Sequence, residues 1–295
     1  MKLFAPVAAI AAVALIPLAS SAQTAQTDSH WDKTYSISGE PTLMLKTGDS
    51  NLNIKSCGSC QTVRITVDAE NRKLSDYRLE EDQSGNTIHF SLKEKGHLGG
   101  HLHVSWHVSS TVAVQVETPA NLTLHAETED GNLQASGLNG AINLRSSDGH
   151  QTIAEVSGAL RVESSDGTVE LRNIAGTLDA HTSDGNLSIS GKLDGLNVTT
   201  SDGKVDLELA SGSTLKSDST LHSSDGTVTV RLPKDFAVNL DISTSDGKID
   251  CNLPLTLEGF HSTGSSDHSV RGKFNAGGPL LSIHTSDGGV HLSSL

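Results

Sequence analysis

Aromatic side chains are scarce in this chain, at 3% of 295 residues, with two Trp, two Tyr and five Phe. Sugar-stacking platforms and most packed enzyme clefts rely on aromatic rings, so both readings lose ground. Basic residues are also few: 21 Lys and Arg stand against 35 Asp and Glu, for a formal net charge of -14. A nucleic-acid-binding surface needs a basic footprint, and this balance excludes one. Three Cys and seven Pro complete the list of shortages. What remains is 28 Gly and a 35% apolar fraction drawn almost wholly from Leu, Val, Ile and Ala, enough for an aliphatic core.

The first residues read as an export signal. Lys2 precedes an apolar run from Leu3 to Leu18, followed by Ala19, Ser20, Ser21 and Ala22. A basic start, a short apolar stretch and a small-residue exit predict cleavage after Ala22. The run is shorter than the ~20 residues of a membrane span and is broken by Pro6 and Pro17. The expected layout is a signal peptide over 1–22, a flexible lead over 23–32, an all-β cap over 33–119, and a repeat region over 120–295. No membrane span is expected after cleavage, and the protein is expected in the periplasm, at the cell surface or secreted.

Export permits disulfides. Cys57-Gly-Ser-Cys60 lies between two strand-like runs without a helix pattern nearby. A redox Cys-x-x-Cys normally opens a helix, so a small structural disulfide closing a turn is the better expectation.

The strongest signal is a repeat. A Ser/Thr-Ser-Asp-Gly tetrapeptide recurs with its Asp at Asp148, Asp166, Asp184, Asp202, Asp225, Asp246 and Asp287, preceded by Thr-Glu-Asp-Gly at Asp130. The spacing is 18 residues at first and 20 to 23 later, with a degenerate copy, Ser265-Ser266-Asp267-His268, in the one long gap. Period-2 alternation flanks every corner. Three residues after each Asp stand Leu133, Gln151, Val169, Leu187, Val205, Val228, Ile249 and Val290. Four before stand Ala126, Leu144, Val162, Ala180, Val198, Leu221, Ile242 and Ile283. These strands have one apolar and one polar face.

Such a period predicts an all-β fold: a single-stranded parallel β-solenoid, or β-helix, of about nine coils with an irregular all-β N-terminal cap. Coils stacked at ~4.8 Å give a rod of roughly 40 Å. Stacking places Cys251 in an inward column as a small buried hydrophobe. In the corners, Gly is expected to supply positive φ and Asp to bond the nearby backbone. The eight Asp then line one edge, as structural turns rather than calcium ligands, since each corner brings a single acid. Three residues before the Asp, an outward column of Glu127, Arg145, Glu163, His181 and Thr199 is expected to place Arg145 between two carboxylates. Asp49, in Gly48-Asp49-Ser50, reads as an early copy of the corner.

Outside the repeat, strand-like runs span Thr42–Lys46, Asn51–Lys55, Thr62–Val67, Thr87–Leu92 and Leu102–Val116. His101, His103 and His107 share one parity on the last of these and are weak candidates for a metal site, with His97 nearby. A polar outer face is the better reading, because no acidic or Cys partner is placed beside them. His222-Ser223-Ser224-Asp225 holds triad residue types, but consecutively in a turn, where triad geometry is out of reach.

An export signal, an irregular β start, Glu117-Thr118-Pro119 before the regular repeats, and strand–Ser-Asp-Gly–strand units through Leu292 together resemble the bacterial putative-adhesin family. A second entry, Leu232-Pro233-Lys234-Asp235, lies inside. The resemblance implies a β-solenoid of the cell envelope and supplies no catalytic residues. The expected function is therefore a non-enzymatic, exported surface-binding protein without a cofactor, whose partner is a protein or glycan ligand. A self-assembling structural element, stacking end to end, is the alternative. A polysaccharide-acting β-helix enzyme is a weaker third, because basic and aromatic residues are sparse in the repeats.

Overall fold

In the computed structural model, described over residues 24–95, 112–257 and 268–295, the chain is all-β, and its strands hydrogen-bond into one connected, unclosed sheet. The strands are β1 (Thr24–Gln26), β2 (His30–Ser36), β3 (Thr42–Thr47), β4 (Asn51–Ser56), β5 (Thr62–Ala69), β6 (Tyr77–Ser84), β7 (Thr87–Glu94), β8 (Val112–Thr118), β9 (Asn121–Thr128), β10 (Leu133–Ser136), β11 (Asn139–Ser146) and β12 (Gln151–Ala154). They continue as β13 (Ser157–Ser164), β14 (Val169–Thr182), β15 (Leu187–Thr200), β16 (Val205–Leu209), β17 (Ser219–Ser223), β18 (Val228–Leu232), β19 (Val238–Thr244), β20 (Ile249–Cys251), β21 (Leu255–Leu257), β22 (Ser269–Phe274), β23 (Leu280–Thr285) and β24 (Val290–Ser294).

Each repeat contributes one strand before its Asp-Gly corner and one after it. Strands before the corner pair in parallel in the order β7–β3–β9–β11–β13–β14–β15–β17–β23–β19. Those after it pair as β8–β4–β10–β12–β14–β15–β16–β18–β24–β20. We call these layers A and B; the long strands β14 and β15 run through both. Registers follow the repeat directly: Leu144 faces Val162, and Val162 faces Ala180. Equivalent aliphatics therefore pile into shared columns, and the columns of both layers belong to one buried cluster. Each such side chain contributes roughly 1.5–3 kcal/mol on burial.

Gln151 is the polar exception among the inward positions named above. It lies between Leu133 and Val169, fully buried, and its side-chain nitrogen donates to the Glu163 carbonyl at 2.7 Å. Its side-chain oxygen has no partner. Cys251, expected to be buried, is half-buried in the last strand of layer B, and burial pushes its thiol pKa up.

The corners correct the expectation about glycine. Positive φ is absent at Gly149, Gly167, Gly185 and the other corner glycines. What excludes a side chain is close approach: a Cβ on Gly149 would lie 2.0 Å from the Gly131 carbonyl oxygen, and one on Gly167 2.1 Å from that of Gly149. The same contact repeats through Gly185, Gly203, Gly226, Gly288 and Gly247. Positive φ is found instead at Gly140, Gly158 and Gly176, inside β11, β13 and β14.

The stacking order departs from chain order at the C-terminus. The rung that closes the chain, β23 and β24, lies between the rung of β17 and β18 and the rung of β19 and β20. Of the degenerate copy in the long gap, only His268 falls among the described residues. Ser265–Asp267 lie outside the described residues, and His268 leads into β22, which runs antiparallel to β19 and β21.

At the other end, Gly48-Asp49-Ser50 forms the first corner, with the Ser50 carbonyl beneath Gly131. Layer B is extended by β5, β2 and β1 and layer A by β6, all antiparallel. The stretch 24–32, expected to be flexible, holds β1 and the start of β2. Aromatics occupy the two ends, where a column has no further rung. Trp31, Tyr35 and Phe90 are buried at one, with Trp31 and Phe90 ring centroids 5.7 Å apart, and Phe236 and Phe274 at the other.

Replacing Gly167 with Ala should cost about 2–4 kcal/mol in denaturant unfolding. Gly48→Ala, whose Cβ would meet nothing nearer than 3.9 Å, should change stability by less than about 1 kcal/mol. Equal costs at the two sites would contradict the close-approach argument.

Candidate functional site

The Ser/Thr-Ser-Asp-Gly motif divides its labour in an order the sequence did not reveal. The first hydroxyl is buried in every full copy, as at Ser146, Ser164, Thr182, Thr200, Ser223, Thr244 and Thr285. It closes the corner on its own glycine: Thr285 Oγ1 donates to the Gly288 carbonyl at 2.6 Å, and Thr244 Oγ1 accepts from Gly247 N–H at 2.9 Å. Each such bond is worth about 1 kcal/mol. The backbone N–H of the Asp donates to the carbonyl of the preceding rung, as from Asp184 to Ser165 at 3.0 Å and from Asp202 to Ser183 at 3.1 Å.

The Asp side chains at 130, 148, 166, 184, 202, 225, 246 and 287 are exposed, and among the described residues none of them bonds the backbone. The local bonds expected of Asp are made by the buried hydroxyl instead. Among the described residues, no three His, Cys, Asp or Glu side chains are grouped to hold a metal ion. Asp49 titrates above the ordinary carboxylate range, chiefly through burial and then through repulsion from Asp130, Glu94 and Glu129, against a weaker opposing pull from Arg72. Cys57 and Cys60 are joined in a disulfide across the turn between β4 and β5, Cα atoms 5.9 Å apart. His97, His101, His103 and His107 lie outside the described residues.

The outward face of layer A is the larger feature. Its register aligns one row of side chains across ten strands: Ser91, Lys46, Glu127, Arg145, Glu163, His181, Thr199, His222, His284 and Ser243. Arg145 does stand between Glu127 and Glu163, but it bonds only Glu163, at 2.8 Å, because Lys46 takes Glu127 at 2.7 Å. Glu163 also receives Arg161 at 2.7 Å, and that hydrogen bond leads the lowering of its pKa. Arg161 reaches on to Asp179 at 2.5 Å, Asn197 bonds Asp179 at 3.0 Å, and Thr220 bonds Asn197 at 2.6 Å. A polar network thus crosses successive rungs along two adjacent rows, joined where Arg161 meets Glu163. Farther along, the His222 and His284 rings stack with centroids 5.3 Å apart, and Ser243 Oγ lies 2.9 Å from His284 Nδ1.

At the N-terminal end of this face the β6–β7 hairpin borders a cleft of about 710 Å³ over β3, β9 and β11. Lys33 anchors that hairpin from inside, with Nζ 2.5 Å from Glu81 and 5.0 Å above the Tyr35 ring centroid. Tyr35 donates to Glu81 at 3.1 Å, and burial, followed by the Glu81 charge, pushes its hydroxyl far above the usual range. Sequence reading missed β6, whose charged residues hide an amphipathic edge strand, and with it the cleft.

Strands before and after one recurrent corner, stacked in parallel registers, define a repeat protein of the β class. The chain belongs to the Toastrack DUF4097 family, whose model matches residues 42–293. Among curated proteins nothing matches it. Among solved structures it is similar to a putative lipid binding protein from Parabacteroides distasonis, with 14% identity, 90% of this chain and 97% of that one covered, and a TM-score of 0.48. It is also similar to a putative adhesin from Parabacteroides merdae, at 11% identity, 90% and 96% coverage and a TM-score of 0.41. A putative cell adhesion protein from Clostridium sporogenes aligns at 12% identity, 90% and 99% coverage and a TM-score of 0.28.

The raised pKa of Asp49 means that the folded state favours its protonated form. That contribution is present below the ordinary Asp pKa and is lost as pH rises through the folded value. Asp49→Asn should therefore raise the melting temperature at pH 7, and the gain should vanish as pH falls below about 3.9. A gain independent of pH would refute the electrostatic cause.

Proposed function

We propose that this is an exported, non-enzymatic protein of the cell envelope: a parallel β-solenoid of nine coils that offers the outward face of layer A as an adhesive surface. The solenoid reading is supported by nine corners stacked in one file, from Ser50 through Gly226 to Gly288 and Gly247. Export is supported by the signal-like segment over 1–22 and by the disulfide. Among the described residues no helix is long and apolar enough to cross a membrane.

The single observation that carries the function is the ten-strand row together with the adjacent row through Arg161, Asp179 and Asn197, whose Arg, Glu, Asp and Asn side chains are linked. Side chains held in a fixed register by parallel strands are preorganised, so a repetitive polar partner can bind without ordering them first. Charge pairs spaced along the face suit an extended glycan or a polar protein surface. The exposed ion pairs themselves add only about 0.2–1 kcal/mol each to stability, so they are free to exchange partners on binding. A second reading, end-to-end assembly, is favoured by β20, which pairs only with β24 among the described residues.

Mature protein should be tested against a glycan array and against labelled envelope fractions. Arg145→Glu with Arg161→Glu, on layer A, should weaken binding at least tenfold. Arg231→Glu, on layer B, should not. Equal losses, or binding unaffected by both, would remove the layer A surface from consideration. Sedimentation that shows concentration-dependent filaments in place of binding would favour the assembly reading.

A further inference from the structure

The outward rows of layer A are polar along most of their length, with one departure. In the row that continues through Asn143, Arg161 and Asp179, the first positions are His89 in β7, Met44 in β3 and His125 in β9. Met44 faces His89 on one side and His125 on the other, in register on both. Parallel neighbours lie ~4.8 Å apart, so a thioether stands between two imidazoles, each one strand away. All three side chains are exposed and line the cleft beside the β6–β7 hairpin. Among the described residues neither imidazole has a hydrogen-bond or ion-pair partner.

Packing does not account for Met44. At 41% exposure it is, with Leu295 at the chain end, one of two exposed large hydrophobics among the described residues. We propose that His89, Met44 and His125 form a binding site for a soft monovalent metal ion, Cu(I), with Ag(I) as its analogue. A neutral thioether is a poor ligand for hard cations and for Zn(II), whereas Cu(I) selects it. Two imidazole nitrogens and one thioether sulfur make a neutral set of three donors. That set suits a low-coordinate d10 ion and leaves the complex with the single charge of the metal. Asp82 pairs with His89 across the hairpin and lines the same cleft, where its carboxylate can accept the other ring N–H and fix the tautomer. Lys46 is held by Glu127 in the neighbouring row, which limits its repulsion of a cation.

The test is an anaerobic titration of the mature protein in a Cys251→Ala background with Cu(I) against a chromophoric Cu(I) chelator, with ascorbate as reductant so that the Cys57–Cys60 disulfide stays closed and no thiol competes for the metal. One equivalent of Cu(I) should be withdrawn from the chelator by the wild type and lost, with affinity reduced at least tenfold, in both Met44→Leu and His125→Asn. Ag(I) should compete for that equivalent, and Ca(II) and Zn(II) should not. Any copper taken by His97, His101, His103 or His107 is common to all variants and does not enter the difference. X-ray absorption of the loaded wild type should contain a Cu–S shell that disappears in Met44→Leu. Thermal unfolding of the metal-free variants should match the wild type, because all three side chains point outward. The proposal is overturned if the wild type withdraws no copper. It is equally overturned if Met44→Leu retains the full equivalent at unchanged affinity, or if Zn(II) displaces Cu(I) as readily as Ag(I) does.

Discussion

At every Asp-Gly corner, the glycine α-carbon rests against the carbonyl oxygen of the corner stacked beneath it, so that a β-carbon there would lie 2.0–2.1 Å from that oxygen. Backbones that close tolerate no slip, because a shift by one residue would bring a side chain into the contact. The buried Ser or Thr hydroxyl two residues before the Asp ties the same glycine from within its own rung. Together they set the register of both layers, since one strand enters the corner and the other leaves it. Ser50 fits the same logic from the end of the file. It carries a side chain because the corner contact above uses only its carbonyl, and Gly131 provides the bare α-carbon.

Fixed register turns composition into structure. Positions of equal phase meet only their counterparts, so Leu, Val, Ile and Ala suffice for the interior between residues 120 and 232, a stretch without a single aromatic residue. Rings appear where the columns stop, with Trp31, Tyr35 and Phe90 at one end and Phe236 and Phe274 at the other. Open ends would otherwise expose apolar columns and unpaired strand edges. The outward rows inherit the same register, and this is what lets residues 18 apart in sequence, such as Arg145 and Glu163 or Arg161 and Asp179, bond directly.

Much of this was legible in the residues. The period, the inward columns at Leu133 through Val205, the outward column at Glu127 through Thr199, the Cys57–Cys60 link and the early corner at Asp49 follow from spacing and alternation. Three things did not. Gly after Asp signals a turn in either case, and sequence does not distinguish a positive φ from a backbone too near for a Cβ. Spacing along the chain is blind to insertion, so the closing rung's place between those of Asp225 and Asp246 had no signature. The cleft depends on β6, where Glu80, Glu81 and Asp82 interrupt the apolar alternation, and on Met44, His89 and His125. Those three are far apart in sequence and share a row only through two parallel pairings.

The most direct measurement is disulfide trapping in a Cys251→Ala background. Thr229 faces His291 across β18 and β24, whereas Asp250 faces His291 from the far side. Cysteines at 229 and 291 should crosslink on mild oxidation, since parallel neighbours fall within disulfide reach. Cysteines at 229 and 250, two strands apart, should not. Crosslinking of 229 to 250 with none between 229 and 291 would mean that the rungs stack in chain order, and the corner file described here would be wrong.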